Sequence, residues 1–530
     1  MSTLTGTRGL IRLILRRDRL ILPLWIVFLT LIPVSYVSSF NELFPTAASR
    51  RQYADNSGFI TLYGVLPDTS LGEFVTWRVG FVPVMVGLIS ILTVIRHTRV
   101  EEETGRRELL GSTVVGRHAA LAAALATTFG ANLLLGILIA VGMHSQDLAL
   151  AGSVAIGLEF ALAGWVFAAI GAVTAQLTSS AGTARGLALG ALGASYALRA
   201  AGDTSAHADG PLWWLSWLSP IGWVQKLYPY GANRWSMAVL ALVVALFLVG
   251  VAIALSARRD VGSGLLPARP GPAAGSAHLS TPLALAWRLH RGLLAAWVVA
   301  FALLGVLFGA VAKGVGDMMR DDSATREFFA RIGGKAGLID SYFVGVLTIA
   351  GLIAAAYAVQ ATLRLRVEET SGRAEPVLAT ATGRLRWATS HLVFALLGPA
   401  AALLAAGVGA GVTYGATVGE VGHQTARLMG AALVQLPAVW VLAGIAIALF
   451  GLLPRLSAAA WAGPVICLLL GIAGAAVQLD QWVLDLSPFA HLPSLPGGGL
   501  HVLPITALIL IAAALAAAGL SGLRHRDLPT

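Results

Sequence analysis

Long apolar runs recur along the whole chain, and charged or Gly-rich segments separate them. Each run holds roughly twenty residues, which lets a helix rising about 1.5 Å per residue cross about 30 Å of hydrocarbon. The pattern predicts an all-α integral membrane protein with about twelve transmembrane helices. The first six predicted spans are Leu20–Val37, Phe74–Ile95, Ala119–Val141, Leu148–Leu177, Leu187–Ala201 and Trp235–Leu255. The second six are Leu293–Ala312, Tyr342–Ala361, Ala388–Gly409, Leu428–Leu453, Ala458–Val477 and Val502–Leu520.

The fifth predicted span is the weakest of the set, because Arg185 and Arg199 flank a short Gly-rich core. An eleven-span chain is therefore an alternative. Composition supports the membrane class itself: only 12% of residues are charged and the mean hydropathy is +0.78. A soluble protein could not bury that much apolar surface.

Arginine placement predicts the orientation in the membrane. Four segments between spans or at the chain start are Arg-rich, and such segments stay in the cytoplasm. They are the N-terminus, Arg96–Arg117, the central segment holding Arg258, Arg259, Arg269, Arg288 and Arg291, and Arg364–Arg386. We therefore expect both termini to be cytoplasmic and the loops Ser38–Glu73 and Lys313–Ser341 to lie outside. The Arg and Ala bias favours a GC-rich bacterial source, hence a bacterial plasma membrane.

The placement of the arginines also explains the net charge of +10, which in a soluble protein would suggest nucleic-acid binding. Because the arginines encode topology, we predict no nucleic-acid partner. Cys467 is the only cysteine and lies in an apolar run, so an intrachain disulfide and a thiolate metal site are excluded. We predict no metal site, and we find no nucleophile with a base, so the sequence does not indicate an enzyme.

An internal repeat divides the chain into two parallel halves. RVEEETGRRELLGSTVVGR (Arg99–Arg117) aligns without gaps to RVEETSGRAEPVLATATGR (Arg366–Arg384). The predicted organisation is a first six-helix half over residues 1–260, a Gly/Pro-rich cytoplasmic linker over 261–280, and a second six-helix half over 281–530. Arg8, Arg12 and Arg16 recur at helical spacing among apolar residues, which predicts an interfacial N-terminal helix.

The repeated charged segment follows the second span of each half, on the predicted cytoplasmic side. Its spacing favours a short helix with i,i+4 pairs, Glu102 with Arg106 and Glu369 with Arg373. Such a pair contributes only about 0.3–0.5 kcal/mol, too little to explain its presence in both halves. A docking helix for a cytoplasmic partner is the interpretation we prefer, and a solvated loop that only fixes topology is the alternative.

These features resemble the permease subunit of type-2 ABC exporters, in particular the fused actinobacterial exporters of polyketide antibiotics and multidrug efflux permeases. The likeness rests on the E-E-x-x-G-R-x-E segment, the Arg-rich first helix, six spans per half, and a Ser-Pro stretch before each last span. It implies that Glu101–Leu110 and Glu368–Leu378 are coupling helices for an ATPase. The implied coupling residues are Glu101, Glu102, Gly105, Arg106, Glu108, Glu368, Glu369, Gly372, Arg373 and Glu375. Pro376 replaces Leu109 in the second copy, so the two elements are expected to end differently.

The energy source is expected on another chain. No G-x-x-x-x-G-K-[ST] loop occurs, and Gly333-Gly334-Lys335 lies in the wrong context. The resemblance then implies two copies of a separate ATPase that carries the ATP and Mg²⁺, with no cofactor bound by this chain. The expected substrates are amphipathic small molecules such as drugs or polyketides. A twelve-span secondary transporter driven by an ion gradient is the alternative.

A few polar residues fall inside the predicted spans. Glu159 lies mid-span in the first half, and Gln435 lies near the corresponding place in the second. A carboxylate at that depth must face protein or water, so Glu159 is predicted to line an internal cavity and attract cationic substrates, or to pair with Arg or stay protonated. His391 is predicted to be a packing residue. The aromatic residues before the sixth span predict an outer interfacial belt, with an outer gate as the alternative: Trp213, Trp214, Trp217, Trp223, Tyr228 and Tyr230.

Overall fold

The computed structural model describes residues 2–54, 63–111, 114–207, 209–266, 274–276, 279–321, 338–477 and 480–527. Within these ranges every regular element is a helix, and eleven helices are long and apolar enough to cross a membrane. The prediction of an all-α membrane protein with about twelve helices is confirmed. The chain divides into two compact units, Met1–Gly271 and Pro272–Thr530.

The first unit contains twelve α-helices and one 3-10 helix among its described residues. They are α1 Thr7–Arg17, α2 Ile21–Leu43, α3 Ala47–Ala54, α4 Leu71–Arg78, α5 Val82–His97, α6 Arg99–Glu103, α7 Arg106–Gly111, α8 Ala119–His144, α9 Leu150–Leu177, α10 Ala181–His207, the 3-10 helix Trp213–Leu218, α11 Pro220–Gln225 and α12 Trp235–Ser256. Helix α9 lies at the centre and packs against α5, α8 and α12. Small residues permit this packing: a Cβ on Gly136 of α8 would lie 2.5 Å from the carbonyl oxygen of Gly157 in α9.

The second unit is built in the same way. Its described helices are α13 Pro282–Asp321, α14 Leu338–Thr370, α15 Ala374–Leu378, α16 Arg384–Val418, α17 Val421–Leu433, α18 Leu436–Leu452, the 3-10 helix Pro454–Trp461, α19 Ala462–Val477, α20 Gln481–Leu484, the 3-10 helix Pro488–His491 and α21 Val502–His525. Helix α16 packs against α13 and α14, and α18 packs against α21. A Cβ on Gly409 would lie 2.6 Å from the carbonyl oxygen of Ala302, so glycine is again required at a helix crossing.

Three predicted spans differ from the structure. The fifth exists as the 27-residue helix α10, but it is not among the eleven sufficiently apolar helices, since it carries Arg185, Arg199 and Asp203. The predicted span Phe74–Ile95 is wrong at its start, where α4 and α5 are separate helices and Pro83 stands at the start of α5. A proline is favoured in the first turn of a new helix because it has no N–H to leave unsatisfied.

The third difference concerns only helix continuity: Val421–Leu452 is one of the eleven candidate spans, as predicted for Leu428–Leu453, but it is interrupted between α17 and α18. Gln435 is the residue immediately before α18, and Pro437 stands in the first turn. Proline removes a backbone donor and its ring clashes with the preceding turn, so one continuous helix ends here and another begins. Gln435 therefore lies at a helix break.

Part of the predicted linker packs on the first unit. The backbone N–H groups of Leu265 and Leu266 donate to the carbonyl oxygens of Gln176 and Leu177 at the end of α9. The division between the units falls within the predicted segment 261–280, whose residues 267–273 and 277–278 lie outside the described ranges. Most of the predicted outer loop Lys313–Ser341, including Gly333-Gly334-Lys335, also lies outside them.

Candidate functional site

The repeated charged segment forms a bend in each unit. We call Arg99–Gly111 the first elbow and Arg366–Leu378 the second elbow. Gly105 has φ 71° and Gly372 has φ 69°, both in the left-handed region. A left-handed glycine commonly ends a helix, because it has no Cβ to clash. The prediction of one short helix per copy is therefore wrong: α6 ends at Glu103 and α7 begins at Arg106, while α14 ends at Thr370 and α15 begins at Ala374.

The bend also changes the ion pairs. The predicted i,i+4 pairs, Glu102 with Arg106 and Glu369 with Arg373, are wrong. Arg106 instead lies 3.4 Å from Glu101, and the Arg373 Nε atom lies 3.1 Å from Glu368. The left-handed glycine between acid and base rotates the arginine away from the helical register, so it reaches the preceding glutamate in both elbows.

Glu102 does not pair with Arg106, and its carboxylate accepts hydrogen bonds from three other arginines. The Arg259 guanidinium binds it with two bonds, Nη1 to Oε2 at 2.8 Å and Nη2 to Oε1 at 2.9 Å. Arg99 Nη1 donates to Oε2 at 2.9 Å, and Arg107 donates to Oε1. Glu102 and Arg99 are buried, so this is a hydrogen-bonded charge cluster within the protein.

The second elbow repeats this cluster. The Glu369 carboxylate accepts a hydrogen bond from Arg366 at 3.0 Å and another from Arg526 at 2.6 Å. Glu102 and Glu369 are 267 positions apart, as are Arg259 and Arg526. The two sites differ in that Glu369 has two arginine partners and Glu102 has three.

In each unit, a further arginine near the start of the third span donates a hydrogen bond to the backbone of the clustered arginine that follows the last helix. Arg117 donates to the carbonyl oxygen of Arg259 at 3.1 Å. At the equivalent position, Arg384 donates to the carbonyl oxygen of Arg526 at 2.6 Å. We call each elbow glutamate with its arginine after the last helix, Glu102 with Arg259 and Glu369 with Arg526, an elbow clamp.

The clamps connect each elbow to the last long helix of its own unit. Arg259 follows α12 and Arg526 follows α21, although both are remote from the elbows in sequence. Sequence reasoning did not identify either arginine as a site residue. One signal was present, because an Arg-Asp dipeptide follows the last span of each half, at Arg259-Asp260 and Arg526-Asp527.

The outer faces of the elbows are acidic and basic. Arg106, Glu108, Arg373 and Glu375 are exposed, whereas Glu101 is half-buried beside Arg17 at 2.5 Å. The exposed residues occupy aligned positions in the two elbows, Arg106 with Arg373 and Glu108 with Glu375. The expectation that the elbows end differently is not confirmed: α7 ends at Gly111 and α15, which contains Pro376, ends at the aligned Leu378, whereas α15 begins one aligned position later than α7. The surface can therefore contact a partner while the clamp beneath it remains intact.

The Gly105→Ala variant tests the bend. A Cβ on Gly105 would meet no atom within 4 Å, so its cost comes from the left-handed backbone alone, roughly 1–2 kcal/mol. We expect a lower thermal unfolding temperature for the purified chain in detergent. The matched control is Gly186→Ala in α10, where a Cβ is equally free of contacts and alanine favours the helix. An equal effect of the two substitutions would show that the bend does not depend on glycine.

A second candidate site is a cavity of about 190 Å³ in the first unit. Glu159 lines it and is 2% exposed, which confirms that this carboxylate faces an internal cavity. Among the described residues no arginine pairs with Glu159, and its buried Oε2 atom accepts no hydrogen bond. Gln435, at the helix break in the second unit, is buried, and its Oε1 atom accepts no hydrogen bond from the described residues.

The cavity also contains a residue that sequence reasoning missed. Glu73 lies in the first turn of α4, is 3% exposed and lines the same cavity. Burial, with a smaller contribution from Asp68, raises the pKa of Glu73 to about 7. In the sequence Glu73 looked like the end of a solvated outer loop, and only its burial shows otherwise.

The remaining candidates are His391 and the aromatic residues before the sixth span. The His391 Nδ1 atom lies 3.0 Å from His290 Nε2, and both side chains are buried, so the packing interpretation is confirmed. Of the aromatic residues, Trp213, Trp214 and Trp217 are exposed, as a belt requires. Trp213, Trp217 and Tyr228 also line the cavity, whereas Tyr230 bonds Ser153 at 2.9 Å.

Comparison with known proteins finds a match in each half of the chain. The family described as "Multidrug efflux system permease Rv1217c, C-terminal domain" matches residues 8–255 and 279–524, one range in each half. The multidrug efflux system permease protein Rv1217c of Mycobacterium tuberculosis is 43% identical over 532 residues, which covers 99% of this chain and 96% of that protein. The resemblance to multidrug efflux permeases is confirmed. With eleven helices in its described residues that are apolar enough to cross a membrane, and with a match over nearly its whole length, the chain belongs to the family of membrane transport permeases represented by Rv1217c.

Proposed function

We propose that this chain is the permease subunit of an ATP-driven ABC exporter and that two copies of a separate ATPase dock on its two elbows. The observation that carries the proposal is the equivalence of the elbows. Each presents an exposed glutamate, Glu108 or Glu375, over a buried clamp at the same relative position. Two equivalent surfaces suit a two-fold ATPase dimer.

The clamps supply a route for force. An elbow pushed by a closing ATPase cannot move freely, since Glu102 or Glu369 holds the arginine that follows the last helix of the unit. Breaking a buried ion pair costs several kcal/mol, so elbow and helix move as one body. Motion at the elbow is then converted into a shift of a spanning helix, as in other switching proteins.

The exported molecules in this proposal are amphipathic small molecules such as drugs or polyketide antibiotics. The printed name of Rv1217c describes multidrug efflux, and the long helices of this chain offer an apolar lining with few fixed charges. The partner ATPase supplies the ATP and Mg²⁺, and export runs outward across the bacterial plasma membrane with both termini cytoplasmic.

The proposal predicts a stable complex with a soluble ATPase. We expect a tagged copy, purified from membranes of the source bacterium, to retain a protein bearing a Walker loop at two copies per chain. Quantitative mass spectrometry of the eluate measures the ratio. Export by the purified chain alone in proteoliposomes, driven only by an ion gradient, would instead establish the secondary-transporter alternative.

A further inference from the structure

The cavity in the first unit lies far from the first elbow. Glu159 is in the N-terminal third of α9, whereas Gln176, which accepts from Arg259 in the clamp, is near its C-terminus. The 17 residues between them correspond to about 25 Å along the helix. The cavity therefore lies toward the end of the unit that is predicted to face outward. It is a separate site from the elbow clamp.

Two carboxylates of the cavity lack partners. Both side-chain oxygens of Glu73 and the Oε2 atom of Glu159 are buried and accept no hydrogen bond from any described residue. Lys226, Ser216 and Asp203 line the same cavity, and the Lys226 Nζ atom donates to Ser216 at 2.7 Å and to Asp203 at 3.5 Å, with no hydrogen bond to Glu73 or Glu159 among the described residues. Within the described part of the chain, the side chain of Lys226 is therefore paired with Asp203 rather than with Glu73 or Glu159.

Burying such groups without compensation is costly, which makes their placement informative. A carboxylate removed from water and left unpaired loses several kcal/mol of solvation or takes up a proton. The raised pKa of Glu73, about 7, reports this cost. A bound cation would supply the missing counter-charge to both side chains.

Aromatic side chains complete the lining. Tyr63, Trp77, Trp217 and Tyr228 line the cavity together with the carboxylates. The Lys226 ammonium already lies 5.6 Å from the centre of the Trp217 ring. Aromatic faces beside carboxylates are the surroundings in which proteins bind organic ammonium groups.

In the second unit, the positions that correspond to Glu73 and Glu159 carry no unpaired acid among the described residues. Asp340 stands 26 residues before Arg366, as Glu73 stands 26 before Arg99, and the Arg427 Nη2 atom donates to Asp340 at 2.6 Å. Near the place equivalent to Glu159 stands the uncharged Gln435. Since an acid with its own arginine needs no ligand, the two halves differ at this site although their elbows agree.

We propose that the cavity of the first unit binds the positively charged head group of an organic cation, held between Glu73 and Glu159 and against the aromatic rings. The volume of about 190 Å³ equals that of roughly six waters, which suits an ammonium head group with the rest of an amphipathic molecule outside it. The role of the site in export rests on the proposed function, and it names organic cations as a substrate class. Binding itself needs no ATPase.

The test compares two probes of equal shape. Benzyltrimethylammonium carries a positive charge, and neopentylbenzene replaces its nitrogen by carbon. We expect saturation-transfer NMR on the full chain in lipid nanodiscs, without ATPase, to detect specific binding of the cation and only membrane partitioning of the neutral probe. Glu73→Gln and Glu159→Gln should each weaken cation binding about tenfold or more. Glu42→Gln, which removes an exposed carboxylate at the end of α2, should leave it unchanged.

Each other outcome overturns the proposal. Equal binding of both probes to the unaltered chain would show that charge is not recognised, whatever the variants do. Unchanged affinity in both Gln variants would place the cation elsewhere. A thermal unfolding temperature lowered by both substitutions, with cation binding retained, would show that the carboxylates serve the fold. Because no ATPase is present, a negative result leaves ATPase docking untouched, and a failed ATPase purification leaves this site untouched.

Discussion

Reversing the exposed charges of both elbows should uncouple transport without unfolding the chain. In the Glu108→Arg, Glu375→Arg double variant, two positive side chains would face the surface that binds the two acids. Each unfavourable charge contact costs several kcal/mol at an interface, and 1.4 kcal/mol is a tenfold change in affinity. We expect ATPase affinity to fall about 100-fold or more, and ATP-dependent export by the reconstituted complex to fall with it.

The control for this variant makes the same charge change at the opposite ends of the units. Glu42→Arg with Glu420→Arg reverses two exposed acids on the predicted outer side. We expect normal ATPase association and normal export. Full association together with undiminished export in the elbow variant would contradict the assignment of the elbows as coupling elements and favour the solvated-loop alternative.

Removing the carboxylate of the first clamp should have the largest effect on stability. In Glu102→Gln the guanidinium groups of Arg99, Arg107 and Arg259 remain together without their counter-charge. Removing one partner of a buried ion pair costs about 3–5 kcal/mol, because the remaining charge is neither solvated nor neutralised. Thermal unfolding of the purified chain in detergent measures the loss.

Two comparisons isolate the clamp. Glu101→Gln is the neighbouring substitution at a half-buried, partly solvated ion pair, and we expect a cost below about 1 kcal/mol. The Glu102→Gln, Arg259→Gln double variant should recover part of the loss, since it removes one uncompensated positive charge as well as the negative one. Costs that simply add in the double variant would mean that Glu102 and Arg259 do not interact energetically.

The elbow clamps and the cavity show different relations between the two halves. At the elbows the same residues recur 267 positions apart and make equivalent contacts, Glu102 with Arg259 and Glu369 with Arg526. At the cavity the repeat keeps an acid at the position of Glu73 but neutralises its counterpart Asp340 with Arg427. The repeat is thus retained where a two-fold partner is proposed to bind and has diverged where a single small ligand is proposed to bind.

Much of the fold could be predicted because the bilayer imposes a simple rule on the sequence. A span requires about twenty apolar residues, so membrane class, span positions and the internal repeat were readable from local composition. Prediction was wrong at the start of the second span, where a new helix begins next to Pro83, and at the bends of Gly105 and Gly372, and it missed the interruption before Pro437 within a span that is otherwise confirmed. Each depends on one residue that changes backbone geometry without altering hydropathy.

The sequence by itself determined the all-helical membrane fold and showed the charged segment that recurs in each half. Only the tertiary structure decided which arginines Glu102 and Glu369 bind, because Arg259 and Arg526 are more than 150 residues away along the chain and are brought close by helix packing. It also decided that Glu73 is buried and lines the same cavity as Glu159. Burial and ion pairing depend on which helices meet in space, and no local spacing of residues encodes that.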